Sequence, residues 1–409
     1  MRDGRHRRDT VPEGAGQPHP PVWAPALTPV PRTGSSSNDV ASTVSLIRSS
    51  FAAITPRSDE VGKLFYGLLF YTAPETRDLF PVAMGVQRSR FLQALIHVLQ
   101  TVDRPDDVAI FLRQLGRDHR KFGVLAKHYE VVGDALLRAM AEVSGPRWTP
   151  QIEHAWRDAY DFVATIMRDA AESERGPAVW MARITHHQRL LDDLAVVRAQ
   201  TSVPIPYAPG QYLSIEIPQR PRMWRSLSPA NAPASDGIVE FHVRAVPEGW
   251  VSRAIVAHSN VGDVWRIGPP MGQLTLAPQS ERDLLMVVGG TGLSPALAIL
   301  EELVNIRSTR RVGLFYGGRD VADLYAIDRL RALSHQHPWL TVIPVVEHGD
   351  EPGDAEVGTL ADVVSRYGAW ADRETMISGS PDMVRATVSA MLEAGTPLIR
   401  IHYDPFTAG

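Results

Sequence analysis

The chain has 409 residues, of which 44% are apolar and 22% charged, and its net charge is −4. That length suggests two or three domains, and the slight acidity offers no general attraction to nucleic acid or to an anionic membrane. There is no cysteine, which excludes disulfides, thiolate-ligated haem, and iron–sulfur or zinc sites built on cysteine, so a metal would have to use His, Asp, Glu or Tyr. No apolar run is long enough to span a bilayer. The first residues are basic, but proline and glycine follow where a signal peptide needs an apolar core, so the default reading is cytoplasmic.

Residues 1–39 carry Pro18, Pro20, Pro21, Pro25, Pro29 and Pro31. Such a stretch cannot bury enough apolar surface to offset its ordering entropy and reads as a disordered tail. From 40 to 175 the pattern is helical. Val61, Leu64, Phe65, Leu68 and Leu69 recur at three- and four-residue spacing, as do Phe91, Leu95, Val98 and Leu99, and later Ile152, Trp156, Tyr160, Val163 and Ile166. Pro74 and Pro81 mark breaks, and residues 103–107 read as a turn.

From 176 to 281 short alternating strands take over, among them 212–217 and 238–244. In the latter, Val239, Phe241 and Val243 point one way and Glu240, His242 and Arg244 the other. This predicts an antiparallel β-barrel. From 282 to 409 strands near 284–288, 312–316, 341–346, 374–378 and 399–403 alternate with helices such as 295–305, the mark of a parallel, doubly wound α/β domain. The expected fold is therefore multidomain: all-α, then antiparallel β-barrel, then α/β.

The α/β segment opens with a hydrophobic strand running through Gly289-Gly290-Thr291-Gly292 into a helix at Pro295. The glycines let backbone N–H groups and the positive helix end approach a pyrophosphate. Upstream lie Tyr207-Ala208-Pro209-Gly210-Gln211-Tyr212, then Arg225-Ser226-Leu227-Ser228, then Gly249-Trp250-Val251-Ser252. A flavin dinucleotide needs an arginine for its pyrophosphate, a hydroxyl for the flavin and N–H groups at a glycine turn. Those types occur here in order.

On these motifs, residues 180–409 resemble the ferredoxin-NADP reductase superfamily. The resemblance implies FAD bound by Tyr207, Gln211, Tyr212, Arg225, Leu227, Ser228, Gly249, Val251 and Ser252. It implies NAD(P)H bound by the Gly289–Gly292 turn, Pro295, Ser378, Gly379 and Met383, with Phe406 packed on the flavin ring. Leu227 stands where the family has tyrosine, and Ser378 where it has cysteine. Arg319 after the second strand suits a 2′-phosphate, but Asp320 adjoins it, so NADH and NADPH both stay open.

In the helical half, Leu112, Leu115 and His119 share a helix face, yet 116–121 is highly charged, so a solvated face fits as well. The wider pattern is more specific. Tyr66 within Leu64–Phe70, Phe80 after Pro74–Leu79, Gln87, His119, and then His128–Leu137 and Ala155–Tyr160 follow one another as in bacterial globins fused to reductases. Residues 42–409 resemble the flavohemoglobins in domain order. The resemblance implies haem b with His119 as proximal iron ligand, Phe80 on the porphyrin face, and Tyr66 and Gln87 as distal hydroxyl and amide. Tyr129 would hold the imidazole from behind. The family's glutamate in the last helix is absent, and Asp118 stands where a lysine often precedes the ligand.

The implied activity is an NAD(P)H-dependent nitric oxide dioxygenase that passes electrons from NAD(P)H to FAD to haem, with O2 and NO as its small-molecule partners. A haem gas carrier or sensor with an attached reductase, or a reductase serving another acceptor, are the alternatives. The sequence gives no oligomeric state.

Overall fold

Six helices build the first part of the chain: α1 (Ser37–Ile54), α2 (Ser58–Thr72), α3 (Gly85–Thr101), α4 (Pro105–His119), α5 (Ala126–Ser144) and α6 (Pro150–Ser173). In the computed structural model, residues 37–81, 84–101, 105–277, 280–348 and 353–403 are described. The expected tail at 1–36, part of the turn at 103–107, and Phe406 lie outside the described residues. Ser37 to Asp39, read from sequence as the end of the tail, belong to α1. The described residues from 46 onward make one compact unit.

Capping explains several helix starts. Pro150 opens α6 with Thr149 accepting from the Ile152 N–H at 3.3 Å. The helical core gathers Phe65, Tyr66 and Leu69 of α2, Leu136 and Met140 of α5, and Trp156 of α6. Helices α4 and α6 cross closely because position 116 is glycine: any Cβ there would run into the Met167 backbone. That close crossing fixes the angle at which His119 leaves the end of α4.

Next comes a six-stranded antiparallel sheet of β1 (Trp180–Leu191), β2 (Leu194–Thr201), β3 (Tyr212–Glu216), β4 (Arg225–Leu227), β5 (Ile238–Arg244) and, after helix α7 (Trp250–His258), β6 (Val264–Met271). Its order is β4-β3-β6-β1-β2-β5. An isolated antiparallel bridge from Pro229, just past β4, to Phe241 on β5 joins the two edges, closing the barrel around Phe241, Trp265, Ile184 and Leu213. Strand β5 alternates as expected, with Val239, Phe241 and Val243 filling the barrel, and Glu240 and His242 on its other face are buried too. The following domain covers that face.

That domain has a six-stranded parallel sheet in the order β10-β9-β8-β7-β11-β12. Its elements are β7 (Leu284–Gly289), α8 (Leu293–Asn305), β8 (Val312–Gly318), α9 (Ile327–Gln336), β9 (Leu340–Val346), β10 (Glu356–Val357), α10 (Leu360–Arg366), β11 (Glu374–Ser378), α11 (Pro381–Glu393) and β12 (Ile401–Tyr403). The last strand starts two residues later than expected, since Leu398–Arg400 forms a 3₁₀ turn. Apolar residues cover both faces of the sheet, as the continuous apolar runs of β7 and β8 require. Among the described residues, no helix is long and apolar enough to cross a membrane.

Candidate functional site

The strand order reverses between β7 and β11 at the centre of the parallel sheet, the kind of switch point where open α/β folds place their ligands. A cleft of about 1610 Å³ starts there and runs past the barrel to the globular helices. Gly289, Gly290, Thr291, Gly292, Pro295, Arg319, Ser378, Gly379 and Met383 line it on one side; Arg225, Leu227, Ser228 and Gly249 line it on the barrel side; and Phe80, Gln87 and His119 line its far end. Three sequence-distant motifs therefore share one cavity.

At the nicotinamide end, Gly292 is required by close approach, because a Cβ would strike the Ser378 carbonyl. The Ser294 and Ser378 hydroxyls are buried without a protein partner, and both residues face the cleft. Unsatisfied buried hydroxyls beside a glycine turn fit a polar dinucleotide. The Arg319 N–H donates to Asp323 at 3.1 Å, and Asp323 also accepts from Arg244 at 2.6 Å.

In the barrel, Arg225 is half-buried in the cleft wall, with Nη1 donating to the Trp224 carbonyl at 2.9 Å. Burial, and then the neighbouring Arg90 guanidinium, push its pKa down. Two guanidinium groups crowd one cavity, which suits an anion. Arg90, from α3, was missed by the sequence reading, because nothing in its local pattern sets it apart from a surface arginine. Helix α7 begins at Gly249–Trp250 on the cleft wall, so its first N–H groups and dipole end lie beside Arg225's cavity.

Five expected flavin contacts are not on that wall. The Tyr207 hydroxyl donates to the Asn231 carbonyl at 2.9 Å. Gln211 spends its amide on the turn itself, accepting from the Ala208 N–H at 2.8 Å and donating to the Gly272 carbonyl at 3.3 Å. Tyr212 pairs with Met271 across β3 and β6. Val251 is in the barrel core, and Ser252 Oγ donates to the Gly249 carbonyl at 3.2 Å. These residues shape the turns that present Arg225 and Gly249.

At the far end, His119 Nδ1 donates to the Leu115 carbonyl at 2.8 Å. That bond fixes the tautomer and leaves the Nε2 lone pair without a partner among the described residues. Burial lowers the His119 pKa, so the ring stays neutral. A neutral imidazole with a free Nε2 on an open cavity fits a haem iron. Tyr129 does not hold the imidazole in the way expected from sequence. Its ring packs with Val108, Leu112, Leu115 and Met167, and the Leu115 carbonyl orients His119 instead. Glu174, near the position of the missing last-helix glutamate, pairs with Arg117 at 3.9 Å.

Tyr66 lies one ring behind the cleft wall. It is 5% exposed and edge-on to Phe80, with ring centroids 5.4 Å apart. Gln87 is the polar side chain that acts on its hydroxyl, and burial pushes its pKa up to about 12. Gln87 itself lines the cleft, so the pair reaches the cavity through the amide.

Sequence reasoning also missed a buried ion pair beside the proximal histidine. Lys121 Nζ lies 2.6 Å from Asp118 and 2.7 Å from Ser214 Oγ of the barrel. Its local signal was a run of charge that reads as a solvated face.

Comparison with known proteins agrees with this order of sites. The globin family pattern matches residues 63–167, the oxidoreductase FAD-binding domain pattern 181–276, and the oxidoreductase NAD-binding domain pattern 286–389. The flavohemoprotein of Xylella fastidiosa (strain 9a5c) is 24% identical over 89% of this chain and 96% of its own length. The ferredoxin–NAD(P)(+) reductase component of the Pseudomonas putida naphthalene 1,2-dioxygenase system is 30% identical, covering 60% of this chain and 72% of that protein. Among solved structures, the flavohemoglobin of Malassezia yamatoensis, determined with bound FAD and heme, superposes with a TM-score of 0.74 at 20% identity, over 88% of this chain and 98% of that one, and shares its fold. With a globin domain, an FAD-binding domain and an NAD-binding domain around one cleft, the chain has the domain set and order of the flavohemoglobins and is an NAD(P)H-dependent oxidoreductase whose cofactors are haem and FAD.

Proposed function

We propose that this protein oxidises nitric oxide to nitrate with O2, using electrons from NAD(P)H. The observation that carries the reading is the buried Tyr66 hydroxyl with Gln87 beside it, at the end of a cleft that Gln87 and His119 both line. A hydroxyl in an aromatic cage is costly unless it has a partner. Here Gln87 beside it lines the cavity, so a hydroxyl and an amide sit together at its edge. With its pKa raised to about 12, Tyr66 stays protonated and donates at any physiological pH.

When bound, the haem supplies the iron at which O2 meets NO, and the flavin turns each nicotinamide hydride into single electrons. The chain's own groups do the rest. His119 offers a neutral lone pair. Phe80 and the surrounding aromatic rings exclude water from the distal side. Arg225 and the α7 N-terminus hold the flavin phosphates, and the Gly289–Gly292 turn with Ser294 and Ser378 receives the nicotinamide dinucleotide.

The test is a stopped-flow measurement of NO loss in aerated buffer with NAD(P)H. Two nitrates should form per nicotinamide oxidised. Tyr66→Phe should speed O2 release roughly tenfold, the loss of one hydrogen bond worth about 1–2 kcal/mol, and leave flavin reduction unchanged. A wild-type protein that binds O2 reversibly but forms no nitrate would be a carrier or sensor instead.

A further inference from the structure

The proximal histidine and the flavin barrel meet at one small buried cluster. Lys121 is 6% exposed and sits in the 3₁₀ turn Arg120–Phe122 that directly follows α4. Its ammonium bonds to both Asp118 carboxylate oxygens, at 2.6 and 2.7 Å, and to Ser214 Oγ of β3 at 2.7 Å. Ser214 Oγ is also 3.2 Å from Asp118 Oδ1. All three ammonium donors thus have a partner.

Aromatic rings close the cluster. Lys121 Nζ stands 4.9 Å from the ring centroids of both Phe122 and Trp224, and the Arg266 guanidinium covers the Trp224 ring at 5.3 Å. Strand β6 shuts the remaining side: a Cβ on Gly268 would lie 3.1 Å from the Lys121 side chain and 3.3 Å from Ser214. No room is left for a ligand or for a shift in register.

The cluster's neighbours are the two redox sites. Phe122 is edge-on to His119 and to Trp224, with centroids 6.0 Å apart in each case, and Trp224 immediately precedes Arg225. One five-residue segment therefore carries both the proximal ligand and the lock, and the barrel residues that receive the lock adjoin the flavin cavity. A buried ion pair is weak support for stability, because desolvation offsets its attraction, but it specifies one arrangement of its partners.

We propose that Lys121 is a positioning residue for electron transfer between the two cofactors: its ammonium keys the proximal turn into the barrel and sets the gap that electrons cross. This rests on His119 being the haem ligand. Each nicotinamide hydride supplies two electrons and one proton; the proton is released to water, and with a single haem per chain the electrons would cross one at a time, in two successive reductions of the same iron.

The test uses the full-length protein loaded with haem and FAD. Lys121→Met leaves Asp118 buried and unpaired, so Asp118→Asn combined with Lys121→Met is the deciding variant, keeping volume and removing both charges. Stopped-flow absorbance separates flavin bleaching by NAD(P)H from haem reduction. The double variant should keep its melting temperature, its haem and FAD content and its flavin phase, while haem reduction slows roughly tenfold or more, the scale of effect that small misplacements of reacting groups produce. Hydrogen exchange in 212–216 and 264–271 should rise, a readout independent of turnover. Wild-type haem reduction in the double variant would overturn the proposal, as would loss of haem or FAD, which would make the cluster a folding element only. Failure of the underlying reading is distinguishable, since the wild-type protein would then lack a histidine-ligated Soret spectrum before any variant is made.

Discussion

His119 Nδ1 and the Leu115 carbonyl, one turn apart in α4, are joined by a 2.8 Å hydrogen bond that points Nε2 away from the helix. The bond uses backbone, so no side-chain change at 115 abolishes it directly. Ligation can be removed only at the ring. His119→Ala is expected to lose haem while keeping FAD, measured as haem per flavin in the purified full-length protein. An unchanged haem content would place the ligand elsewhere.

Arg225 faces the cleft with Arg90 nearby, and its guanidinium donates to the Trp224 backbone carbonyl. A charge-assisted bond to a pyrophosphate contributes about 1.5–3 kcal/mol, so Arg225→Ala should weaken FAD binding by roughly ten- to a hundredfold. Flavin fluorescence on dilution reads this directly. Wild-type retention would move the phosphate site.

Acid should weaken the seat between barrel and nicotinamide domain. Burial opposes charge on Glu240, but hydrogen bonds from His242 and Arg198 and the Arg329 charge outweigh it and pull the carboxyl down to about 2, from an ordinary 4.5. A depressed carboxyl stabilises the fold above its unfolded pKa and loses that contribution as pH falls from 4.5 towards 2. Melting temperature should therefore drop across that window, and Glu240→Gln should flatten the drop while lowering stability at neutral pH. An equally steep drop in the glutamine variant would assign acid lability to other groups.

Gly292→Ala places a methyl against the Ser378 carbonyl. The turn or β11 must shift, and the nicotinamide cavity with it. Hydride transfer to flavin should slow with little loss of bound FAD or haem, seen as a raised KM for NAD(P)H and a slower flavin phase. An alanine variant with unchanged KM and flavin phase would show that the turn tolerates the methyl.

What was legible in the sequence was whatever local chemistry dictates. The Gly289–Gly292 turn, its strand and its helix are written in consecutive residues, and so is the helical stripe around Tyr66. Tyr207, Gln211 and Tyr212 lie in a motif of the right composition, but Gln211's amide is consumed by Ala208 and Gly272, a balance that only the folded turn reveals. The Lys121 lock was hidden because Ser214 is 93 positions away, and a run of charge looks solvated until a partner strand covers it. The same applies to β5: alternation separated its two faces correctly but could not show that a second domain buries the polar one.

That covered face has a mechanical result. His242 bridges the Tyr325 hydroxyl at 2.8 Å and Glu240 at 3.0 Å, Arg329 reaches the same carboxylate at 3.0 Å, and Arg244 holds Asp323 at 2.6 Å. Swinging the nicotinamide domain outward would strip several ionic groups of their partners at once. The seam between the two reductase domains is therefore specified by polar groups on both sides, and opening it would break several of these contacts together.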